Sequence, residues 1–344
     1  MSSHENNLIA IASTAMRVSR RCMKPYAHPK SPQRFTQPQL LSCLVLKANL
    51  KLTYRGLCDF LEVSPPLREA MGLTQTPHYT TLQKFAASDG LTEVLDAVLR
   101  ATVREINGPG VSAAEDVAID ATGMESGWAS AHYLSRSGRT RSRWIRVSFI
   151  VLCASVIPVA MHVDWGPGND AAPALTVMQK AARVVSPERV WGDAAYDSEK
   201  LHAFCYENWK ARSYAPPILR RRSDVVRGRY RSKMRRRPRN YGRRWTVESL
   251  FSAIKRVCGS ALTSRGEHML KVEAALRVAA YGIRRWRTAW IIDLFNRAFS
   301  NFKQNCSALP LCPSNSHSTS ALSTSSDILY LCQIPPPSPR VPSS

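Results

Sequence analysis

Acidic residues are scarce in this chain: Asp and Glu number 25 against 48 Lys and Arg, leaving a formal net charge of +23 over 344 residues. That deficit excludes an acidic, solvating chain and points to a polyanionic partner, nucleic acid first and acidic lipid second. No CxxC pair occurs among the nine cysteines, at 22, 43, 58, 153, 205, 258, 306, 312 and 332, so no zinc ribbon or thioredoxin-type motif is built locally. An odd, scattered set of thiols reads as reduced and cytosolic. Long apolar runs are missing as well. The longest, Val147 to Ala160, is broken by Ser148, Cys153, Ser155 and Pro158 and falls short of the roughly 20 residues a membrane span requires. The opening MSSHENNLIAIAST has no basic stretch ahead of its short apolar run, so a cytoplasmic, nucleoid-associated chain with no membrane partner is expected. No internal repeat is visible.

What is present divides into blocks. The 44% of apolar residues is enough for a buried core, and the length allows two or three domains. Between Pro38 and about Ala87, short helices are expected behind clear punctuation: Leu40, Leu41, Leu44 and Val45 form an apolar run, Thr53 precedes Tyr54–Leu61, Ser64 precedes Pro65–Met71, and Thr76-Pro77 opens a segment with Tyr79, Leu82 and Phe85. This pattern is compatible with a helix-turn-helix-like DNA-binding unit and equally with a small bundle that supports a neighbour. From Ala114 the period shifts to strands, at 116–120, 143–152, 158–164 and 189–191, with a helix over 170–184 capped by Asp170. Helices follow at 201–209, 244–257 and 267–292, which makes this a mixed α/β domain. The last 39 residues, from Cys306, hold eleven Ser and seven Pro and read as a disordered tail.

One stretch concentrates the charge. Residues 220–244 carry thirteen Lys and Arg against the single Asp224, and Gly228, Tyr230 and Tyr241 interleave with the arginines as suits a segment lying along a phosphate backbone.

Three carboxylates stand where chemistry is commonly done. Asp120 closes an apolar strand ahead of Ala-Thr-Gly, read as a turn, and Asp193 follows the short strand Arg189–Trp191; carboxylates at strand ends lie at the open edge of an α/β sheet. Such a pair of oxygen ligands suits Mg²⁺. Asp197, directly before Ser198-Glu199, fits a helix cap better than a ligand. Glu248 is the third. Val247, Leu250, Phe251, Ile254 and Val257 make one apolar face of its helix, and Tyr241, Arg244, Glu248 and Lys255 fall on a second narrow stripe. By itself that stripe is an exposed face with an i, i+4 ion pair worth a few tenths of a kcal/mol.

Taken together these residues resemble a DDE transposase of prokaryotic insertion sequences. The group concerned is marked by Tyr, two residues, Arg, three residues, Glu, six residues and Lys, and Tyr241, Arg244, Glu248 and Lys255 match every position. Ala118-Ile119-Asp120, Gly168-Asn169-Asp170 and the run from Gly192 to Ser198 resemble further blocks of that group. The resemblance covers about Gln37 to Trp286. It implies an α/β catalytic domain with a ribonuclease-H-like mixed sheet and flanking helices, preceded by a small all-α, helix-turn-helix-like domain. The expected boundaries are an N-terminal extension 1–36, a helical, DNA-binding domain 37–112, the catalytic domain 113–305 and the tail 306–344.

It also implies a site: Asp120, Asp193 and Glu248 as catalytic residues and ligands of Mg²⁺ or Mn²⁺, two ions in all. Tyr241, Arg244 and Lys255, with Arg235, Arg236 and Arg237, are expected to contact DNA. The implied function is metal-dependent strand cleavage at insertion-sequence ends and strand transfer into target DNA, by a homodimer on double-stranded DNA carrying terminal inverted repeats. The sequence departs from the group on the second strand, where Arg146 and Ser148 occupy the neighbourhood of an expected Lys and His. The competing readings are a non-catalytic, sequence-specific DNA-binding protein or repressor, and an inactive transposase remnant. A membrane- or RNA-associating basic protein is disfavoured by the regular placing of acids at strand ends.

Overall fold

Capping chemistry starts the first helices. In the computed structural model, which describes residues 7–108, 110–125, 144–166, 168, 171–218, 226–234 and 241–307, α1 spans Asn7–Cys22 and α2 spans Gln37–Leu50. Thr36 opens α2 with a reciprocal cap: its hydroxyl accepts from Gln39 N at 3.3 Å, and Gln39 Oε1 accepts from Thr36 N at 2.8 Å. Thr53 Oγ1 accepts from Gly56 N at 3.0 Å at the head of α3, Tyr54–Glu62, and α4 is the single turn Pro65–Ala70. The next helix, α5, begins at Tyr79 and runs to Ala86, later than Thr76-Pro77 suggests, because the His78 ring caps it while Thr76 donates instead to Glu62. Helix α6 is Leu91–Asn107. The segment read as an extension thus holds α1, whose Ile11, Ala12, Ala15 and Val18 are buried against this helical body.

A five-stranded sheet follows: β1 Ser112–Glu125, β2 Trp144–Leu152, β3 Ile157–Gly166, β4 Val185–Trp191 and β5 Arg212–Tyr214. Its order is β3-β2-β1-β4-β5, with β1, β2 and β3 antiparallel and β4 and β5 parallel to β1. Helices α7, Ala171–Ala181, and α8, Glu199–Asn208, cover one face, where Val117, Ile119, Ile150 and Val190 are buried. The other face, with Ala118, Met124, Phe149 and Trp191, packs into a core shared with the helical body, with α9, Trp245–Cys258, and with α10, Glu267–Ser307. Phe149 meets Phe251 of α9 edge to face, 4.7 Å between centroids. This is a ribonuclease-H-like fold preceded by an all-helical region. Buried Asp96 of α6 fastens the two parts: it accepts from Met161 N of β3 at 2.8 Å and pairs with Arg100 and Lys180.

The chain divides into two compact units, Met1–Phe295 and Asn296–Ser344, and of the second only the helix as far as Ser307 is described. Asp170, expected as a helix cap, and the tail beyond Ser307 lie outside the described residues, as do Arg235, Arg236 and Arg237. Among the described residues no helix is long and apolar enough to cross a membrane.

Candidate active site

The strand expected to turn after Asp120 does not turn. β1 continues through Ala121-Thr122-Gly123 to Glu125, because β2 supplies a partner for every residue from Val117 to Glu125. Gly123, read as a turn residue, is instead a gap in the sheet surface filled by an indole: a Cβ there would lie 3.0 Å from Trp144 Cδ1. What does end is the pairing of β1 with β4, whose last register pair is Ala118 with Trp191. Asp120 is two residues past that pair and Asp193 is two residues past its partner. The two aspartates therefore occupy corresponding positions where the parallel strands part, the edge at which α/β sheets hold ligands.

Asp193 is positioned by the backbone. Gly192 N donates to Tyr214 O at 2.9 Å, and Asp193 Oδ1 then accepts from Ala195 N at 2.8 Å, opening the short 3₁₀ turn Ala194–Tyr196. A Cβ on Gly192 would lie 3.1 Å from Tyr196 Cβ and 3.3 Å from Ile119 Cγ2, so only glycine passes this point without displacing its neighbours.

The segment Tyr241–Arg244 forms another 3₁₀ turn and joins α9 to the strand ends. Tyr241 donates its hydroxyl to Gly192 O at 3.0 Å, directly before Asp193. Arg243 pairs with Asp116. Arg244 reaches Asp120 at 3.5 Å and Glu248 at 2.5 Å, so one guanidinium links the carboxylate on β1 to the one in the first turn of α9. Three of the four signature residues are thereby gathered around the strand ends. Lys255, partly buried, lies two turns farther along α9.

Asp116 escaped the reading of the sequence, where it counts only as part of an apolar strand. It is 4% exposed and accepts from Arg189 Nε at 2.7 Å and Trp191 Nε1 at 2.9 Å besides pairing with Arg243. The available signal was its spacing, four residues before Asp120 and so on the same face of the strand.

Asp197 is not a helix cap. Ser198 precedes α8, while Asp197, 2% exposed, accepts from Ile218 N at 2.7 Å and from Arg231 Nε and Nη2 at 2.8 and 2.5 Å. Burial pushes its carboxyl up, but the hydrogen bonds and charge of Arg231 with the Ile218 amide outweigh it and leave the group below the ordinary carboxylate value. Ser198 stands at the N-cap of α8 without a side-chain cap bond, while Asp193 caps the 3₁₀ turn ahead of it. Arg231 is consequently an anchor for the basic segment, secured further by Glu199, which accepts from Tyr230 N at 2.9 Å and Arg231 N at 3.1 Å. His202 stands beside the pair, Nδ1 2.6 Å from Ser213 Oγ and Nε2 3.4 Å from Asp197, and burial holds its pKa below the ordinary value.

Arg146 and Ser148 lie opposite Gly123 and Ala121, the residues of β1 that point away from the face of Asp120. Neither shares that carboxylate's surroundings.

The donor set suits a hard divalent cation: Asp120, Asp193 and Glu248 all offer carboxylate oxygens. Among the described residues no three His, Cys, Asp or Glu side chains close on one point. The positive charge between Asp120 and Glu248 is the Arg244 guanidinium.

Residues 112–283 match the family described as Transposase DDE domain, which is half of the chain, and the chain belongs to that family. No curated protein matches it. Among solved structures it is similar to the piggyBac transposase synaptic complex with hairpin DNA, determined by cryo-EM. That similarity has a TM-score of 0.40 and 10% identity over 94% of this chain and 87% of that one, too slight to carry an argument.

Proposed function

We propose that this chain is an active polynucleotidyl transferase that cleaves DNA strands at the ends of an insertion sequence and joins them to target DNA. The observation that carries the reading is the register of β1 and β4. It sets Asp120 and Asp193 at equivalent places past Ala118 and Trp191, and Arg244 ties Glu248 to the first of them. In this reading the three carboxylates hold Mg²⁺ or Mn²⁺. A bound pair of such ions supplies Lewis acidity for an in-line displacement at phosphorus.

The residues of the chain prepare that chemistry. Tyr241 fixes the backbone ahead of Asp193, and Arg243, held by Asp116, fixes the turn that presents Arg244. Arg244 compensates the charge of Asp120 and Glu248 until a phosphate takes over its guanidinium. Arg235, Arg236, Arg237 and Lys255 neutralise backbone phosphates, and the helical region reads the terminal repeats, in a homodimer on the DNA. The deciding experiment is nicking of a duplex that carries the element's terminal repeats, in the presence of Mg²⁺. Asp120→Asn, Asp193→Asn and Glu248→Gln should each abolish nicking while leaving DNA binding intact. Nicking retained by any one of them removes that residue from the site, and a wild-type chain that binds the duplex without nicking it is a repressor or an inactive remnant.

A further inference from the structure

A second basic feature lies away from the three carboxylates. A cleft of about 550 Å³ opens between the end of α2, the start of α3 and the loop that joins α9 to α10, lined among others by Lys47, Lys51, Tyr54, Gln83, Ser264 and Arg265. Lys47 lies in the last turn of α2 with its ammonium 4.5 Å from the centroid of the Tyr54 ring. Lys51 follows as the C-cap, with φ 55° and ψ 32°. That left-handed conformation is one glycine adopts without steric penalty, so a lysine here places a charge at the cleft against a backbone preference of about 1 kcal/mol.

Among the described residues neither Lys47 nor Lys51 forms an ion pair. The one carboxylate close enough to influence Lys47 is Glu273, and its oxygens are fully engaged. They accept from Thr263 N at 3.1 and 3.0 Å, from Ser264 N at 2.7 Å and from Arg277 Nη2 at 2.6 Å. Arg277 in turn donates to Gly259 O and Ala261 O, both at 2.7 Å, and Leu262 N donates to Glu125 O at 2.8 Å. The loop is thus held from three sides, and Ser264 and Arg265 are presented on a fixed backbone. Burial lowers the pKa of Lys47, as expected for a cation short of a counter-charge. A cleft with two lysines outside any ion pair among the described residues, with hydroxyls and a side-chain amide beside them and Glu273 already engaged, is built for an anion.

Its position identifies which anion. Glu248 is in the first turn of α9, and the helix ends at Cys258, so the loop begins about 15 Å along it, the length of about four to five base pairs of duplex. Gln83, on the far wall, belongs to α5 of the helical region. We propose that this cleft is a phosphodiester site for duplex DNA, gripping the backbone between the part of the duplex that lies at Asp120, Asp193 and Glu248 and the part that meets the helical region. The assignment rests on the reading of the chain as a DNA-processing protein and adds to it a site and its residues.

Lys51→Gln with Arg265→Gln, in the full-length chain, tests it through residues that are both exposed. Binding of a random-sequence duplex is followed by fluorescence anisotropy across a salt titration without divalent metal. Loss of two phosphate contacts should flatten the slope of log K against log salt by about 1.8. Lys47→Gln should flatten it by about 0.9. An unchanged slope, in variants whose thermal unfolding matches wild type, overturns the assignment of this cleft to DNA. Inorganic phosphate provides the second arm: a thermal stabilisation of the wild type that the double variant loses, together with an unchanged duplex slope, makes the cleft a site for a free anion and likewise overturns the proposal. A wild-type chain that binds no duplex even at low salt defeats the underlying DNA reading itself, a result distinct from either.

Discussion

Asp116 and Asp120 stand four residues apart on one face of β1, and each meets an arginine of the turn Tyr241–Arg244, yet their surroundings differ. The Asp116 side chain is 1% exposed and has three partners, Arg189, Trp191 and Arg243. Asp120, 16% exposed, shares Arg244 with Glu248, which is 51% exposed. Removing one member of a buried, hydrogen-bonded pair costs about 3–5 kcal/mol, because the rest stay buried and unpaired. An exposed i, i+4 pair contributes about 0.3–0.5 kcal/mol. The same chemistry, carboxylate against guanidinium, therefore secures the turn at one point and leaves it exchangeable at the next. A site that must accept a cation and a phosphate requires the second kind of pair, set beside the first so that the turn stays in place when the exchange occurs.

Substitutions test that contrast. Asp116→Ala should produce the largest loss of stability, about 3 kcal/mol after allowance for the partly exposed arginines, read as a lower denaturant midpoint at unchanged slope. A midpoint equal to wild type would show that the buried pair does not secure the turn. Asp120→Asn should change stability by less than about 0.5 kcal/mol while nicking is lost, so a large shift of its unfolding midpoint would erase the distinction between the two aspartates.

Arg244→Gln should raise the affinity of the DNA-free protein for Mn²⁺ by about fivefold, the equivalent of ~1 kcal/mol of competing charge removed, as followed by electron paramagnetic resonance of the free ion. Equal or weaker Mn²⁺ binding would mean that Arg244 supports the carboxylates rather than occupying the place of a cation.

The smallest effect concerns the other anchor of the basic segment. His202 titrates below its ordinary value of 6.5 because it is buried, with Ser213 on one ring nitrogen and Asp197, Glu199 and Arg231 around it. The unfolded chain therefore takes up that proton first, and stability should decline as pH falls below about 6.5 towards the folded value. His202→Gln should flatten the dependence in that window. Asp197, whose pKa is lowered from 3.8, has the opposite charge type: it contributes above that value and its contribution is lost as pH falls through the folded one. An acid limb unchanged in Asp197→Asn would remove this ion pair from the account.

Much of the arrangement was legible before any coordinates. Thr53 announced a helix start because capping involves residues only a few positions apart, whereas the reciprocal cap of Thr36 and Gln39 obeys the same rule and went unread. The i, i+4 spacing of Arg244 and Glu248 placed a carboxylate beside a cation for the same reason, since such contacts are local, whereas Tyr241 and Arg244 form a 3₁₀ turn ahead of the helix and not part of its stripe. Helix α1 was not marked, although Ile11, Ala15 and Val18 carry the period.

The amino-acid sequence by itself determined the strongly basic balance, the change from helical to strand periodicity near Ala114 and the residue types of the site. Tertiary structure alone decided how those residues divide their work. Whether β1 stops at Asp120 depends on β2, which pairs with it as far as Glu125. Whether Asp193 or Asp197 caps a turn depends on Arg231 and Ile218, which arrive from beyond α8 and bury Asp197. Asp116 is an anchor only because Arg189 and Arg243 come to it across 73 and 127 residues. Periodicity and capping are interactions between near neighbours. Burial and charge compensation belong to whichever distant segments pack together, and they determine which carboxylate secures the fold and which remains exposed to a ligand.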